Sequence, residues 1–154
     1  MKKVFISIVL SLFCFCAFSQ SSEVITDILN TEKVTYGQIC YLSAVHQGFV
    51  SDDSSYTQAI NTLYEKGQIP VKEYEGTALP MVNLTYLFAQ MWDIKGGIFY
   101  RIFHGAPRYA FKQLKADGVL PANASPGNII SGQEALNIYT ACAIKYGNMQ
   151  LNIE

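Results

Sequence analysis

The chain has 154 residues, a formal net charge of −1 and 15% charged residues, and half of its residues are hydrophobic. This length allows one ordinary domain, and the hydrophobic content excludes a disordered chain, which would have too little apolar surface to bury. The nearly balanced charge argues against a nucleic-acid-binding protein, since such proteins need a basic surface to contact phosphates.

The N-terminal segment up to Ser19 has the pattern of a secretory signal peptide. Two lysines precede an almost continuously apolar run over residues 4–18. Small residues at Ala17 and Ser19 match the positions that a signal peptidase reads. The apolar run is shorter than the roughly 20 residues that a membrane-spanning helix needs. We therefore predict an exported protein, periplasmic or on the cell surface, cleaved after Ser19 and with no stable membrane span. The alternatives are an uncleaved anchor and a lipoprotein modified at Cys14 or Cys16.

Cleavage after Ser19 leaves a domain of residues 20–154 with two cysteines, Cys40 and Cys142. In an oxidising compartment these two residues can close one disulfide, which would join the first long helix to the last. Both also lie within apolar helical stretches, where buried free thiols are common. The sequence leaves both alternatives open, because it does not give the Cα separation that a bridge requires.

Hydrophobic periodicity and capping residues predict an all-α fold of about six helices. A short aromatic helix or turn is expected over residues 98–104. The six longer helices are expected at residues 23–30, 35–47, 56–66, 80–92, 107–118 and 131–146.

Glycines mark the expected ends of these helices. Gly48, Gly67 and Gly118 each follow an apolar periodic stretch, where a left-handed residue commonly ends a helix. Gly147 has the same position relative to the last helix, and we expect it to end that helix in the same way.

Short polar side chains mark the expected starts. Thr35 is a predicted N-cap, and the polar cluster at residues 52–55 is expected to cap the helix that follows it. Ser131 and Glu134 have the spacing of a capping box.

The order of helix, glycine stop, hydrophobic-proline pair and capped helix occurs twice, and all corresponding positions are separated by the same offset. A third copy of the second helix alone begins at Thr35, at a slightly shorter offset before Pro80. We expect the two helices of each unit to pack as a hairpin around one shared core, and the hydrophobic-proline pairs to add a little extended structure. The corresponding positions are Gly67 and Gly118, Ile69–Pro70 and Leu120–Pro121, and Pro80 and Ser131.

These units resemble the S-layer homology repeat of bacterial envelope proteins. That repeat has an aromatic-rich helix, a glycine turn into a hydrophobic pair, a loop, and a helix that opens with Ile-Thr-Arg-Ala-Glu. The resemblance implies two repeats and a half repeat, at about 34–50, 56–92 and 107–147. The matching stretches are 109–120 with 130–136, 56–69 with 79–84, and 34–39.

The chain departs from the family at the residues that would hold a ligand. In the family, the arginine of the five-residue motif helps to bind an acidic, pyruvylated cell-wall glycan. The equivalent positions here are Tyr36, Met81 and Gly132. None of these residues has a guanidinium group that could donate two parallel hydrogen bonds to a carboxylate. The resemblance therefore implies the scaffold more strongly than the glycan ligand.

Catalytic, metal-binding and cofactor-binding residues are not predicted. His46 lies near a helix end and His104 in a loop, and neither has the clustered ligands of a zinc site. Cys40 and Cys142 lie in apolar stretches, where a nucleophilic thiolate is disfavoured. We therefore predict that the protein is not an enzyme.

Aromatic residues alternate with the chain's only two arginines between Trp92 and Tyr109. The binding candidates are Trp92, Tyr100, Arg101, Arg108 and Tyr109, since such a mixture suits sugar stacking or a protein partner. Filling of the core between the units is the alternative explanation.

Together these features favour a non-enzymatic, exported binding or scaffolding module, with a cell-wall glycan or an envelope protein as its partner. The first alternative is a periplasmic protein-interaction subunit that has lost glycan recognition. A small secreted enzyme with a dispersed site is the second.

Overall fold

The computed structural model describes residues 19–96 and 106–150. This part of the chain contains six α-helices and no β-strand, so the predicted all-α class is confirmed. The predicted signal segment, apart from Ser19, and the predicted aromatic turn at 98–104 lie outside the described residues. The helices are α1 Ser19–Asn30, α2 Tyr36–His46, α3 Tyr56–Glu65, α4 Met81–Met91, α5 Pro107–Ala116 and α6 Gly132–Gln150.

Three of the predicted glycine stops are confirmed. Gly48, Gly67 and Gly118 have φ angles of 67°, 70° and 75°, which glycine adopts without the steric cost that a Cβ brings. After α3, Gly67 N donates to Tyr64 O and Gln68 N to Leu63 O. This is the Schellman pattern, and it satisfies carbonyls that the helix end leaves unpaired.

The predicted stop at Gly147 is wrong, because α6 continues to Gln150. Gly147 is not among the residues with positive φ. Since a glycine inside a helix costs only about 1 kcal/mol relative to alanine, it does not end a helix by itself.

Alanine substitution should distinguish the two kinds of glycine by the sign of its effect. Gly67→Ala and Gly118→Ala should each lower the free energy of unfolding by about 1 kcal/mol, because the new Cβ is strained at positive φ. Gly147→Ala is the matched control and should raise it by about 0.5 kcal/mol, since a Cβ there meets no atom within 4 Å. Urea unfolding measures all three, and a common sign would contradict the assignment.

Side-chain caps begin three helices. The hydroxyl groups of Thr35 and Ser55 each accept a hydrogen bond from the backbone N–H three residues later. In return, the side chains of Gln38 and Gln58 accept hydrogen bonds from the backbone N–H groups of Thr35 and Ser55, so both helix starts are full capping boxes. Ser131 and Glu134 form the predicted box at α6. The cap of α3 is thus Ser55 and not the aspartates of the 52–55 cluster.

Helix α4 begins without a side-chain cap. Pro80 is its N-cap residue and not, as predicted, its first helical residue. The free N–H groups of the first turn instead reach a distant loop: Met81 N donates to Asn128 O at 2.8 Å and Val82 N to Pro126 O at 2.9 Å.

The helices pair across the predicted units. The closest pairs are α2 with α3, α4 with α5, and α1 with α6, while α4 also packs on both α2 and α6. The expected hairpins of α3 with α4 and of α5 with α6 are therefore wrong, because α3 packs mainly on α2 and α5 packs mainly on α4. A short link through Gly48 connects α2 to α3 and favours neighbours, whereas the 66–80 connection is long enough to carry the chain away.

Extended pairing is limited to two isolated antiparallel bridges in the described chain, Thr35 with Ala78 and Pro80 with Ile129. They lie next to the starts of α2, α4 and α6 and not at the hydrophobic-proline pairs, where extended structure was expected. The bridges hold these helix starts beside one another, because Val34 N donates to Ile130 O and Leu79 N to Val34 O.

One continuous core lies between the helix pairs. Its largest fully buried side chain is Phe88 on α4, the helix that contacts both α2 and α6. The polar Gln38 is also buried, and its amide donates to Asp27 at 3.1 Å and Thr31 at 2.8 Å. These bonds satisfy the amide, which would otherwise destabilise the interior.

Candidate functional site

An aromatic cluster lies where the carboxyl ends of α2 and α4 meet α6. His46 is the last residue of α2, and Trp92 is the C-cap of α4. The Trp92 ring centroid is 4.9 Å from that of His46 and 5.1 Å from that of Tyr139. Phe88 packs edge-on beneath them, 5.7 Å from Trp92 and 6.0 Å from Tyr139.

His46 is held in this cluster as a neutral imidazole. Its Nδ1 is 2.8 Å from the Tyr139 hydroxyl. Desolvation lowers the pKa of His46, and burial raises the pKa of Tyr139. A hydroxyl with a raised pKa is not a carboxylate, so this pair lacks the charged group that would make His46 a strong general base.

The lowered pKa of His46 predicts a pH dependence of stability. Below about pH 6.5 the unfolded chain binds more protons at His46 than the folded chain does. The contribution of His46 to stability is complete above that pH and decreases as the pH falls below it; it is small, because the ring is partly exposed. Urea midpoints should fall less steeply with decreasing pH in His46→Gln, and parallel profiles would contradict the shift.

A groove of about 540 Å³ opens beside the aromatic cluster. It lies between the end of α2, the turn after α3 and the end of α4. Its lining combines three amide side chains with imidazole, carboxylate and apolar groups, namely His46, Gln47, Phe49, Gln68, Gln90, Met91 and Asp93.

Two amides of the groove lining pair with each other. Gln47 Nε2 donates to Gln68 Oε1 at 2.9 Å, and Gln68 Nε2 donates to Gln47 Oε1 at 2.7 Å. Gln47 Nε2 is also within 3.1 Å of the Ser43 hydroxyl and carbonyl. The two side chains are therefore fixed in orientation before any ligand arrives.

Asp93 forms the rim of the groove at the end of α4. Its φ of 45° is the only positive value at a non-glycine residue in the described chain, a conformation that aspartate tolerates better than most residues. Its carboxylate is 3.6 Å from Lys95 Nζ, and both side chains are largely exposed. Such an exposed pair contributes little to stability.

The two cysteines are both buried, free thiols. Burial raises the pKa of Cys40 to about 12, and it raises that of Cys142 to about 12 as well. Each is therefore protonated at neutral pH and is a poor nucleophile.

Three of the five sequence-predicted binding residues lie in the described chain, namely Trp92, Arg108 and Tyr109. Trp92 is 4% exposed, so its ring packs in the core and presents no face to solvent. Arg108 is exposed at the start of α5, and Tyr109 beside it has Lys112 Nζ 5.6 Å from its ring centroid. Tyr100 and Arg101 lie outside the described residues, as does His104.

Sequence reasoning did not identify the amides of the groove. Gln47, Gln68 and Gln90 share no motif, and glutamine is common on helix surfaces. One signal was available: Gln47 directly precedes Gly48, and Gln68 directly follows Gly67. Each of these glutamines is therefore the neighbour of a glycine that ends a helix with positive φ.

Residues 19–96 and 106–150 hold no group of three histidine, cysteine or acidic side chains that could bind a metal ion. Within the same ranges, each helix is too short or too polar to cross a lipid bilayer. No protein-family model, curated protein or solved structure matches this chain.

Proposed function

We propose that this protein is a non-enzymatic, exported binding module of the cell envelope, built on an S-layer-homology-like scaffold. The observation that carries the proposal is a set of backbone hydrogen bonds that recurs at α2, α4 and α6. These helices begin at residues 36, 81 and 132. The spacing from each start to the next equals the corresponding offset of the repeat in the sequence.

The first helical N–H of each of these helices donates to a carbonyl of a loop distant in the sequence. Tyr36 N donates to Thr77 O at 2.8 Å, and Met81 N to Asn128 O at 2.8 Å. Gly132 N donates to Thr31 O at 2.9 Å and so closes the ring of three. From the first bond to the second, donor and acceptor both advance by about one repeat, which supports a common origin of the units.

The three positions of the family's arginine favour a binding mode without the pyruvylated glycan. Tyr36 is 4% exposed, and its hydroxyl donates to Val71 O at 2.8 Å. Met81 is 3% exposed, and the Gly132 Cα faces the backbone of Ile28. An arginine side chain at any of these three positions would have to be buried without a partner, at a high cost in free energy.

The absence of an enzymatic role is supported by the chemistry of the potential nucleophiles and bases. The pKa values of the Cys40 and Cys142 thiols are raised to about 12. In the described chain, His46 Nδ1 pairs with the Tyr139 hydroxyl and not with a carboxylate. None of these groups is poised for acid-base or covalent catalysis at neutral pH.

Export and envelope association can be tested with the full chain expressed in a bacterial host. The exported protein should begin at Gln20, and Leu10→Arg, which interrupts the apolar run, should remain in the cytoplasm. The exported protein should then co-sediment with purified cell-wall sacculi, or form a one-to-one crosslinked complex with an envelope protein. Cytoplasmic retention of the unchanged chain would refute the export part of the proposal.

A second candidate, a protein-interaction subunit without glycan binding, is favoured by one surface. Tyr64, Val71 and Tyr74 are 45%, 51% and 77% exposed, and Lys72 Nζ lies 4.8 Å from the Tyr64 ring centroid. Aromatic residues with a cation are common at protein interfaces. If Tyr74→Ala abolishes a stoichiometric crosslink while sacculus binding is absent, this second function is selected.

A further inference from the structure

We propose that the groove at the carboxyl ends of α2 and α4 binds a neutral oligosaccharide. The inference deepens the proposed function, because it assumes that the chain is a binding module and assigns its site and ligand class. The site lies at the carboxyl ends of these helices, whereas the helix starts carry the five-residue motif of the resembling family.

The size of the groove suits a short oligosaccharide. Its volume of about 540 Å³ falls within the roughly 300–1,000 Å³ typical of small-molecule sites. It is bounded on three sides by rigid structure: two helix ends and a turn fixed by the left-handed Gly67. A ligand therefore meets a preformed surface, which reduces the entropic cost of binding.

The amides provide the donors and acceptors that hydroxyl groups require. In the Gln47–Gln68 pair, each carbonyl oxygen keeps a second lone pair, and Gln68 Nε2 keeps a second hydrogen. Gln90 adds a third amide to the lining. Because the amides hold each other in place, their remaining hydrogen-bonding groups are already oriented.

The apolar part of the lining can contact the C–H face of a sugar ring. Phe49, which is partly exposed, lies in the same groove as the amides. Such a combination of apolar surface and a few fixed polar groups is typical of sites that select ligands by hydrogen bonding and shape.

The charges around the groove favour a neutral over an acidic ligand. Among the described residues, Asp93 is the only carboxylate in the lining, and Lys95 Nζ is its ion-pair partner. Lys66 Nζ lies 4.1 Å from the Phe49 ring centroid and is not among the described lining residues. An acidic sugar would thus approach Asp93, and the described lining offers it no guanidinium or ammonium group.

Trp92 is the chain's only tryptophan, and its ring lies 4.9 Å from His46 of the groove lining. Its fluorescence therefore reports on the site. The exported full-length product should be titrated with triacetylchitotriose and maltotriose as neutral probes, and with trigalacturonic acid as the acidic probe. At least one neutral trisaccharide should change the fluorescence saturably, with a Kd at least about tenfold lower than that of the acidic one.

Two variants test the assignment to the groove. Gln68→Met keeps the length of the side chain but removes its amide, and it should weaken the neutral trisaccharide at least about fivefold, the effect of losing a hydrogen bond. Gln133→Met makes the same change at an exposed position of α6 and should leave the Kd unchanged. Thermal melting confirms that each variant is folded.

Asp93→Asn provides a second readout at an exposed position, should Gln68→Met fail to fold. Asparagine also tolerates positive φ, and the change leaves Lys95 unpaired. The ratio of the Kd of trigalacturonic acid to the Kd of the neutral trisaccharide should fall a few-fold. An unchanged ratio would contradict the electrostatic argument.

The outcomes separate this inference from the proposed function. No fluorescence change with either neutral probe up to about 10 mM, a very weak-binding limit, or equal binding of the acidic probe would overturn the inference. Sacculus binding that is unchanged in Gln68→Met would also overturn it, while leaving the proposed function intact. Saccharide binding by a protein that is retained in the cytoplasm would support this inference and refute the export part of the proposed function.

Discussion

Replacing Gly132 by alanine should destabilise the protein by at least about 3 kcal/mol, a loss at the upper end of single-substitution effects. A Cβ at this position would overlap the carbonyl group of Ile28, which is backbone and cannot rotate away. Gly132 N also donates to Thr31 O at 2.9 Å, so the start of α6 cannot move without losing that bond. We expect α1 and α6 to separate locally or the domain to unfold.

Urea unfolding of Gly132→Ala measures this effect, and Gly127→Ala provides the control. Gly127 is exposed, and a Cβ there meets no atom within 4 Å, so its substitution should change stability by less than about 0.5 kcal/mol. If Gly132→Ala is as mild as its control, the close approach of α6 to α1 is wrong. The hydrogen bond from Gly132 N to Thr31 O, which completes the set of three at the helix starts, would then be absent.

The positions of the helices were predictable because local chemistry determines them. Thr35 and Ser131 start helices through bonds to residues three positions later, and such spacing is visible in a sequence. Gly67 and Gly118 end helices because glycine adopts positive φ at a lower cost than other residues. Ile69 and Leu120, two residues further along, also become buried and are only 3% and 5% exposed. This burial depends on tertiary packing, which the sequence does not show. Gly147 therefore has the same sequence pattern as the other glycines but does not end its helix.

Helix pairing and the groove were not predictable from local chemistry. Which helix α3 packs on depends on the path of the 66–80 connection, and this path is determined by backbone bonds such as Gly37 N to Glu75 O. Backbone bonds carry no side-chain signature. The groove depends on tertiary packing as well, because Gln47 and Gln68 are distant in the sequence and meet only when α2 and α3 lie side by side.

Trp92 shows how composition misleads about a site. A lone tryptophan near arginines suggested a stacking platform, yet the ring is 4% exposed and packs against His46, Phe88 and Tyr139. Aromatic residues provide large buried areas, so the core competes for them with any ligand. The three amides of the groove lining, in contrast, are partly exposed.

Phe88→Ala should lower the free energy of unfolding by about 4 kcal/mol, the typical cost of removing a buried phenyl ring and leaving a cavity. Phe88 is fully buried, and its ring contacts those of Trp92 and Tyr139. Its helix, α4, packs on α2, α5 and α6, so the cavity would open where three elements meet and could not collapse by moving one of them. Since small domains are stable by only about 5–15 kcal/mol, the variant should lie close to its unfolding transition at room temperature.

Phe88→Leu is the matched control, and it should cost only about 1–1.5 kcal/mol, because leucine refills much of the volume. Urea unfolding compares the two variants, and the fluorescence of Trp92 reports whether its ring stays buried. Phe88→Ala should shift the emission to longer wavelength as water reaches the indole, whereas Phe88→Leu should not. Equal losses in the two variants would mean that Phe88 is not at the centre of the core.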